Sequence, residues 1–279
     1  MSLLTVDDLS VRADGGRALV SGLSFRVGRG DRLGLIGESG SGKSLTVLAL
    51  IGLLSPGMTA SGSVLLDGLA VLEASQRRLD RLRGRSVAVV FQEPLAALDP
   101  LMRVGAQVAG PLRRHRGLRG RALRGAVHDA LAEVRLADTT RVARSYPYEI
   151  SGGQRQRVAI AMALACEPAL LIADEPTAQL DTTVQAEVLA LLDDLVRARG
   201  MGLLFVGHDL AVVAAVTSRV LVLKDGREVE SGTAAELLRA PAHPYTRDLV
   251  AAARRLHGTL AGLARRDAGD GGRVSRGPG

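Results

Sequence analysis

Tryptophan is absent, and three phenylalanines with three tyrosines bring aromatics to only 2% of the 279 residues. Aliphatic side chains must therefore fill the interior, and the chain offers no run of rings on which single-stranded nucleic acid could stack. One cysteine, Cys166, excludes an internal disulfide and is too few for an iron–sulphur centre. No uncharged apolar stretch reaches the roughly 18 to 20 residues that cross a bilayer. The longest, near residues 45–54 and 158–166, fall far short, so a path through a membrane must belong to another chain. The first 16 residues lack a basic region followed by an apolar core, and no signal peptide is expected. Lysine is almost missing too: of 36 Lys and Arg residues only Lys43 and Lys224 are lysine. What remains suits a compact intracellular enzyme, with 47% hydrophobic residues and 33 glycines. The formal charge of +7 would suit anionic lipid or nucleic acid, but a solvated basic surface is the commoner cause.

Two glycine-rich segments stand out. GESGSGKS at residues 37–44 matches G-x-x-x-x-G-K-[ST] at every fixed position, after a short apolar strand at 33–36 and before a helix from about 42 to 54. Gly37, Gly40 and Gly42 let this loop, with Glu38, Ser39 and Ser41 between them, curl so that its N–H groups face phosphates. Ser44 offers a hydroxyl to magnesium, and Lys43 supplies a compact ammonium where arginine is otherwise the default cation. In the second segment, Ser151, Gly152, Gly153 and Gln154 fit a helix-start box in which Ser151 caps the backbone and Gln154 reaches back. Alone it is equally an ordinary cap; beside a P-loop it reads as a second anion site. The apolar run at residues 170–173 reads as a buried parallel strand and ends in two acids. Ligands bind beyond the carboxyl ends of such strands, which assigns Asp174 to magnesium and Glu175 to the attacking water, against the alternative of solvated carboxylates.

These residues resemble the ATP-binding cassette family, with Walker A at 37–44, the signature at 151–154 and Walker B at 170–175. The resemblance covers nearly the whole chain. It implies a P-loop NTPase (RecA-like) α/β core, an antiparallel β subdomain and an inserted helical subdomain. It further implies that Gln92 is a switch glutamine serving magnesium and the membrane partner, that Asp181 is the D-loop aspartate, and that His208 touches the terminal phosphate. Taken alone, His208 would be a turn residue with Asp209 capping the next helix. The segments at 91–100, 146–161 and 240–253 look like those of oligopeptide, dipeptide and nickel importer ATPases. One departure is Ala13, where the family usually stacks an aromatic on adenine.

The expected organisation is a core from 1–94 and 154–240, a helical subdomain at 95–153, and an extension at 241–279 that is mobile from about 257. Val184, Val188, Leu191, Leu192, Leu195 and Val196 recur at helical spacing ahead of a strand at 203–206. Asp14–Gly16, Asp67–Gly68 and Asp225–Gly226 read as turns, the last as a hairpin. Six arginines at 113–124 read as an exposed helix face or, less simply, as a docking surface.

With one P-loop and one signature, resemblance implies that Lys43 of one cassette and Ser151 of another grip the same ATP. It also implies two integral permease subunits, an extracytoplasmic solute-binding protein, a place at the cytoplasmic face of the membrane, and no nucleic acid. The cargo stays open among peptides, nickel and opine-like chelates. A soluble cassette ATPase of DNA repair or translation shares every nucleotide motif, but lacks the HPYT segment near residue 245. A P-loop small-molecule kinase would leave residues 150–157 idle.

Overall fold

The computed structural model describes residues 2–92 and 97–255. Of the expectations above, the mobile tail from residue 257 and the residues just after Gln92 lie outside these limits.

A parallel core grows from continuous apolar runs. Strands β3 (Arg32–Ile36), β6 (Val87–Val90), β7 (Leu170–Asp174), β8 (Gly202–Gly207), β9 (Arg219–Lys224) and β10 (Arg227–Thr233) form one sheet in the order β10-β9-β3-β8-β7-β6. All neighbours are parallel except the β9–β10 hairpin. Side chains alternate across a strand, so both faces must be apolar when both are covered. Leu171 and Ala173 of β7 enter one core, while Leu170 and Ile172 enter the other. Asp174 is the first residue to break the run.

The second sheet is antiparallel, in the order β2-β1-β4-β5, from β1 (Ser2–Ala13), β2 (Ala18–Gly28), β4 (Met58–Leu66) and β5 (Leu69–Ala70). β1 and β2 run 12 and 11 residues, longer than the short strands expected, and register shifts along β1 absorb the length. All three expected turns form, with Asp67 and Asp225 at positive φ ahead of Gly68 and Gly226, as type I′ turns require.

Helix α1 (Lys43–Leu50) lies between the sheets and ends four residues earlier than expected. Gly52 turns left-handed at φ 65°, and the Leu53 N–H closes on the Leu48 carbonyl, which terminates the helix. After α2 (Gln76–Leu82), three helices, α3 (Val104–Arg116), α4 (Gly120–Glu133) and α5 (Thr139–Arg144), pack on one another; α3 and α4 also pack against α6 (Gly152–Leu164). Their apolar stripes, including Val108, Leu112, Val127 and Leu131, continue the core that reaches Ala173. The arginine run is not one helix face, because Gly117 ends α3 in a left-handed turn at φ 66°. All six arginines are exposed; Arg114 pairs with Asp80 and Arg116 with Glu167. The remaining helices are α7 (Thr182–Ala198), which carries the predicted stripe, α8 (Leu210–Val216) and α9 (Ala234–Arg239). A last helical stretch covers residues 244–255. Among the described residues no helix is long and apolar enough to cross a membrane.

Candidate functional site

Parallel register brings four segments to one edge. Ile36 is level with Gly207, Val206 with Asp174, and Ala173 with Val90, so the chain leaves β3, β8, β7 and β6 on the same side. There the P-loop, His208, Glu175 and Gln92 follow their strands, at the edge where open α/β sheets bind ligands.

The P-loop needs its glycines for two reasons. Gly42 caps α1 at φ 99°, a conformation that L side chains avoid. At Gly37 the limit is space, since a Cβ would lie 2.3 Å from the Leu223 carbonyl oxygen. The Gly226 N–H donates to the Ser41 carbonyl at 3.2 Å and the Gly226 carbonyl accepts from Ser21 at 2.8 Å, so the β9–β10 hairpin is tied to the loop and to β2. Lys43 is buried, and its Nζ donates to the carbonyls of Gly37 at 2.7 Å and Glu38 at 2.9 Å. Burial lowers its pKa, while Glu175, Asp174 and Glu38 act in the opposite direction.

Asp174 is 6% exposed, and burial pushes its carboxyl above the ordinary value, with the Ser44 hydroxyl and Lys43 pulling it back. Its Oδ1 has no hydrogen-bond partner. A buried carboxylate oxygen without a partner is costly and calls for a ligand. Beside the exposed Ser44 hydroxyl it offers hard oxygen donors that fit magnesium. Among the described residues no group of three or more His, Cys, Asp or Glu is placed to hold a metal. Gln92 is exposed at the same edge.

Glu175 is the first residue past β7 and adopts φ 46°. A non-glycine residue in that region carries strain, here secured by its N–H bond to Val206 at 2.9 Å. Its carboxylate stands 3.8 Å from Lys43 Nζ on one side and 3.0 Å from His208 Nδ1 on the other. Lys43 and His208 thus both approach the Glu175 carboxylate at this edge of the sheet. Asp209 caps α8 through the Ala211 N–H, as its position suggested.

Ser151 and Gln154 make the reciprocal cap. The Gln154 N–H donates to Ser151 Oγ at 3.3 Å, and the Ser151 N–H to Gln154 Oε1 at 3.1 Å. The two glycines differ. A Cβ on Gly153 would fall 2.6 Å from Val184 Cγ1, whereas one on Gly152 would meet nothing nearer than 3.8 Å. No hydrogen bond or ion pair links 151–154 to 37–44 among the described residues. Asp181 caps α7, accepting from the Val184 N–H at 3.1 Å, so in the single chain it has a structural task.

Sequence reasoning missed Tyr245, whose hydroxyl accepts the Glu38 N–H at 2.8 Å, and Lys224, which lies 4.9 Å from the centre of that ring. The scarcity of lysine was the available signal. Ala13 closes β1 opposite Met58 and presents only a methyl group.

An ABC transporter family profile matches residues 20–178, more than half of the chain. Glutathione import ATP-binding protein GsiA of Shigella dysenteriae is 43% identical over 253 residues, covering 88% of this chain, which spans only 40% of that protein's length. Probable D,D-dipeptide transport ATP-binding protein DdpD of Escherichia coli K12 is 44% identical over 229 residues, covering 81% of this chain and 70% of that protein. Among solved structures, the dimeric post-hydrolysis cassette MJ0796 bound to ADP and Pi superposes with a TM-score of 0.73 at 27% identity, covering 83% of this chain and 98% of that one. CbiO1 of Clostridium perfringens, part of the complex cbiONQ, gives 0.74 at 27% identity over 95% of this chain and 99% of that one. With the P-loop, the two acids and the capped signature on a fold shared with such cassettes, the chain belongs to the ATP-binding cassette (ABC) transporter family.

Proposed function

We propose that the chain is the ATP-binding and ATP-hydrolysing subunit of an importer for small peptides, working at the cytoplasmic membrane face with separate permease subunits and a solute-binding protein. The observation that carries this reading is the approach of Lys43 and His208 to Glu175 beside the partnerless oxygen of Asp174. Lys43 supplies its ammonium to the terminal phosphates. Ser44, Asp174 and Gln92 would hold magnesium, which would supply neutralising charge to the phosphates. Glu175 orients water towards the terminal phosphorus while His208 contacts the phosphoryl oxygens. The signature, Ser151 to Gln154, serves the ATP of a second cassette, with Asp181 at the same seam.

Support for a permease comes from an apolar cleft of about 470 Å³ at the Gln92 end of the sheet, lined by Leu53, Val89, Phe91, Ala97, Pro111 and Met162. Phe91 and Leu53 are exposed there. The names of the relatives support peptides or glutathione as cargo class and lend nothing to nickel. The domain limits given above remain the proposed ones.

Glu175→Gln is the test. Turnover should fall on the order of 100- to 10,000-fold while ATP is retained and a two-cassette species accumulates, seen by light scattering. Normal turnover would remove the role of Glu175. Turnover stimulated by nucleic acid or ribosomes without a co-purifying permease would favour a soluble machine.

A further inference from the structure

The P-loop has a support that lies outside its own motif. The Glu38 N–H and the Gly37 carbonyl belong to one planar peptide unit and point in opposite directions. Tyr245 Oη holds the N–H end at 2.8 Å, and Lys43 Nζ holds the carbonyl end at 2.7 Å. Turning that plane away from Tyr245 would also turn its carbonyl away from Lys43. The tyrosine is itself fixed: its ring is 5% exposed, with Lys224 Nζ 4.9 Å from its centre. Lys43 thus bonds the peptide unit directly, while Lys224 lies over the ring that bonds its other end. Glu230 secures the approach to Tyr245 by accepting the N–H groups of Ala242 at 2.7 Å and His243 at 3.0 Å. Lys224 ends β9, directly before the hairpin that touches Ser41, so the brace and the hairpin meet the loop together.

We propose that Tyr245 is a positioning residue for ATP: its hydroxyl holds the Gly37–Glu38 peptide in the phosphate-receiving orientation, so the segment from Ala242 to Tyr245 sets nucleotide affinity. This rests on the reading of the P-loop as an ATP site. Without the hydroxyl, the Glu38 N–H loses its partner and the peptide plane gains freedom that ATP binding must remove.

The test is Tyr245→Phe in the full chain, which keeps the ring and its packing. The Kd and KM for ATP should rise about three- to tenfold, with kcat changed by less than about twofold. Hydrogen exchange at the Glu38 amide should accelerate. Lys224→Met, which leaves the hydroxyl but removes the cation over the ring, should shift Kd in the same direction by less. A folded Tyr245→Phe protein with wild-type Kd and KM overturns the proposal, as does a variant in which only melting temperature and kcat fall. If the wild-type chain binds no ATP, the reading of the site falls first; if it binds and Tyr245→Phe matches it, only the brace falls.

Discussion

The two glycine-rich segments use the same backbone chemistry with anchors of different reach. At the P-loop the anchors reach distant parts of the chain: Lys43 bonds two carbonyls and faces Glu175, the Ser41 carbonyl accepts from Gly226, and the Glu38 N–H donates to Tyr245. At 151–154 the bonds are local to the helix start, and a Cβ on Gly152 would meet only ordinary van der Waals contacts. One is a site organised by its own chain. The other is the surface proposed above to meet a nucleotide held by a second cassette.

That contrast can be broken most directly at Lys43. Lys43→Met should weaken ATP binding to the isolated chain by roughly 10- to 100-fold, because a charged donor to phosphate is lost. Ser151→Ala should leave single-chain affinity close to wild type and instead suppress nucleotide-driven pairing, measured by sedimentation. Equal losses of single-chain affinity would erase the distinction. Within the signature, Gly153→Ala should cost about 1–3 kcal/mol of stability through its clash with Val184. Gly152→Ala should keep the melting temperature and lose turnover. The reverse pattern in thermal melts and ATPase assays would show that the two glycines had been misassigned.

Smaller effects should follow at the periphery. Replacing Arg113, Arg114 and Arg116 with Gln should barely alter stability, since the exposed pairs of Arg114 and Arg116 are each worth about 0–1 kcal/mol. A drop in recovery of the permease complex would then report docking, and unchanged recovery would retire that role. Smallest is the pH response of Glu230. Burial pushes its carboxyl up, but Thr246 and the N–H groups of Ala242 and His243 outweigh that and hold it below the usual value. Its contribution is present above the unfolded pKa and lost as pH falls through the lower folded pKa. Acid should therefore loosen the C-terminal segment, and Glu230→Gln should flatten that part of the stability profile.

Local pattern made much of this legible. The P-loop, the capping box at Ser151, the strand ending at Asp174, the cap at Asp209 and the stripe on α7 each depend on neighbours within a few residues, so spacing reveals them. The early end of α1 was missed because the apolar run passes through Gly52 unmarked. The meeting of Lys43 and His208 at Glu175 joins segments that only sheet register brings together, and the bond from Glu38 to Tyr245 spans 207 positions. Such contacts leave no periodic trace; the rarity of lysine hinted that Lys224 was particular without saying where it pointed.

The hairpin at Gly226 carries a mechanical corollary. Its carbonyl grips Ser21 in the antiparallel sheet, its amide grips Ser41, and a methyl group there would collide with the Leu19 carbonyl oxygen at 2.3 Å. The two sheets are pinned together at the mouth of the phosphate cradle. Rocking between them must pivot elsewhere or strain both of these bonds.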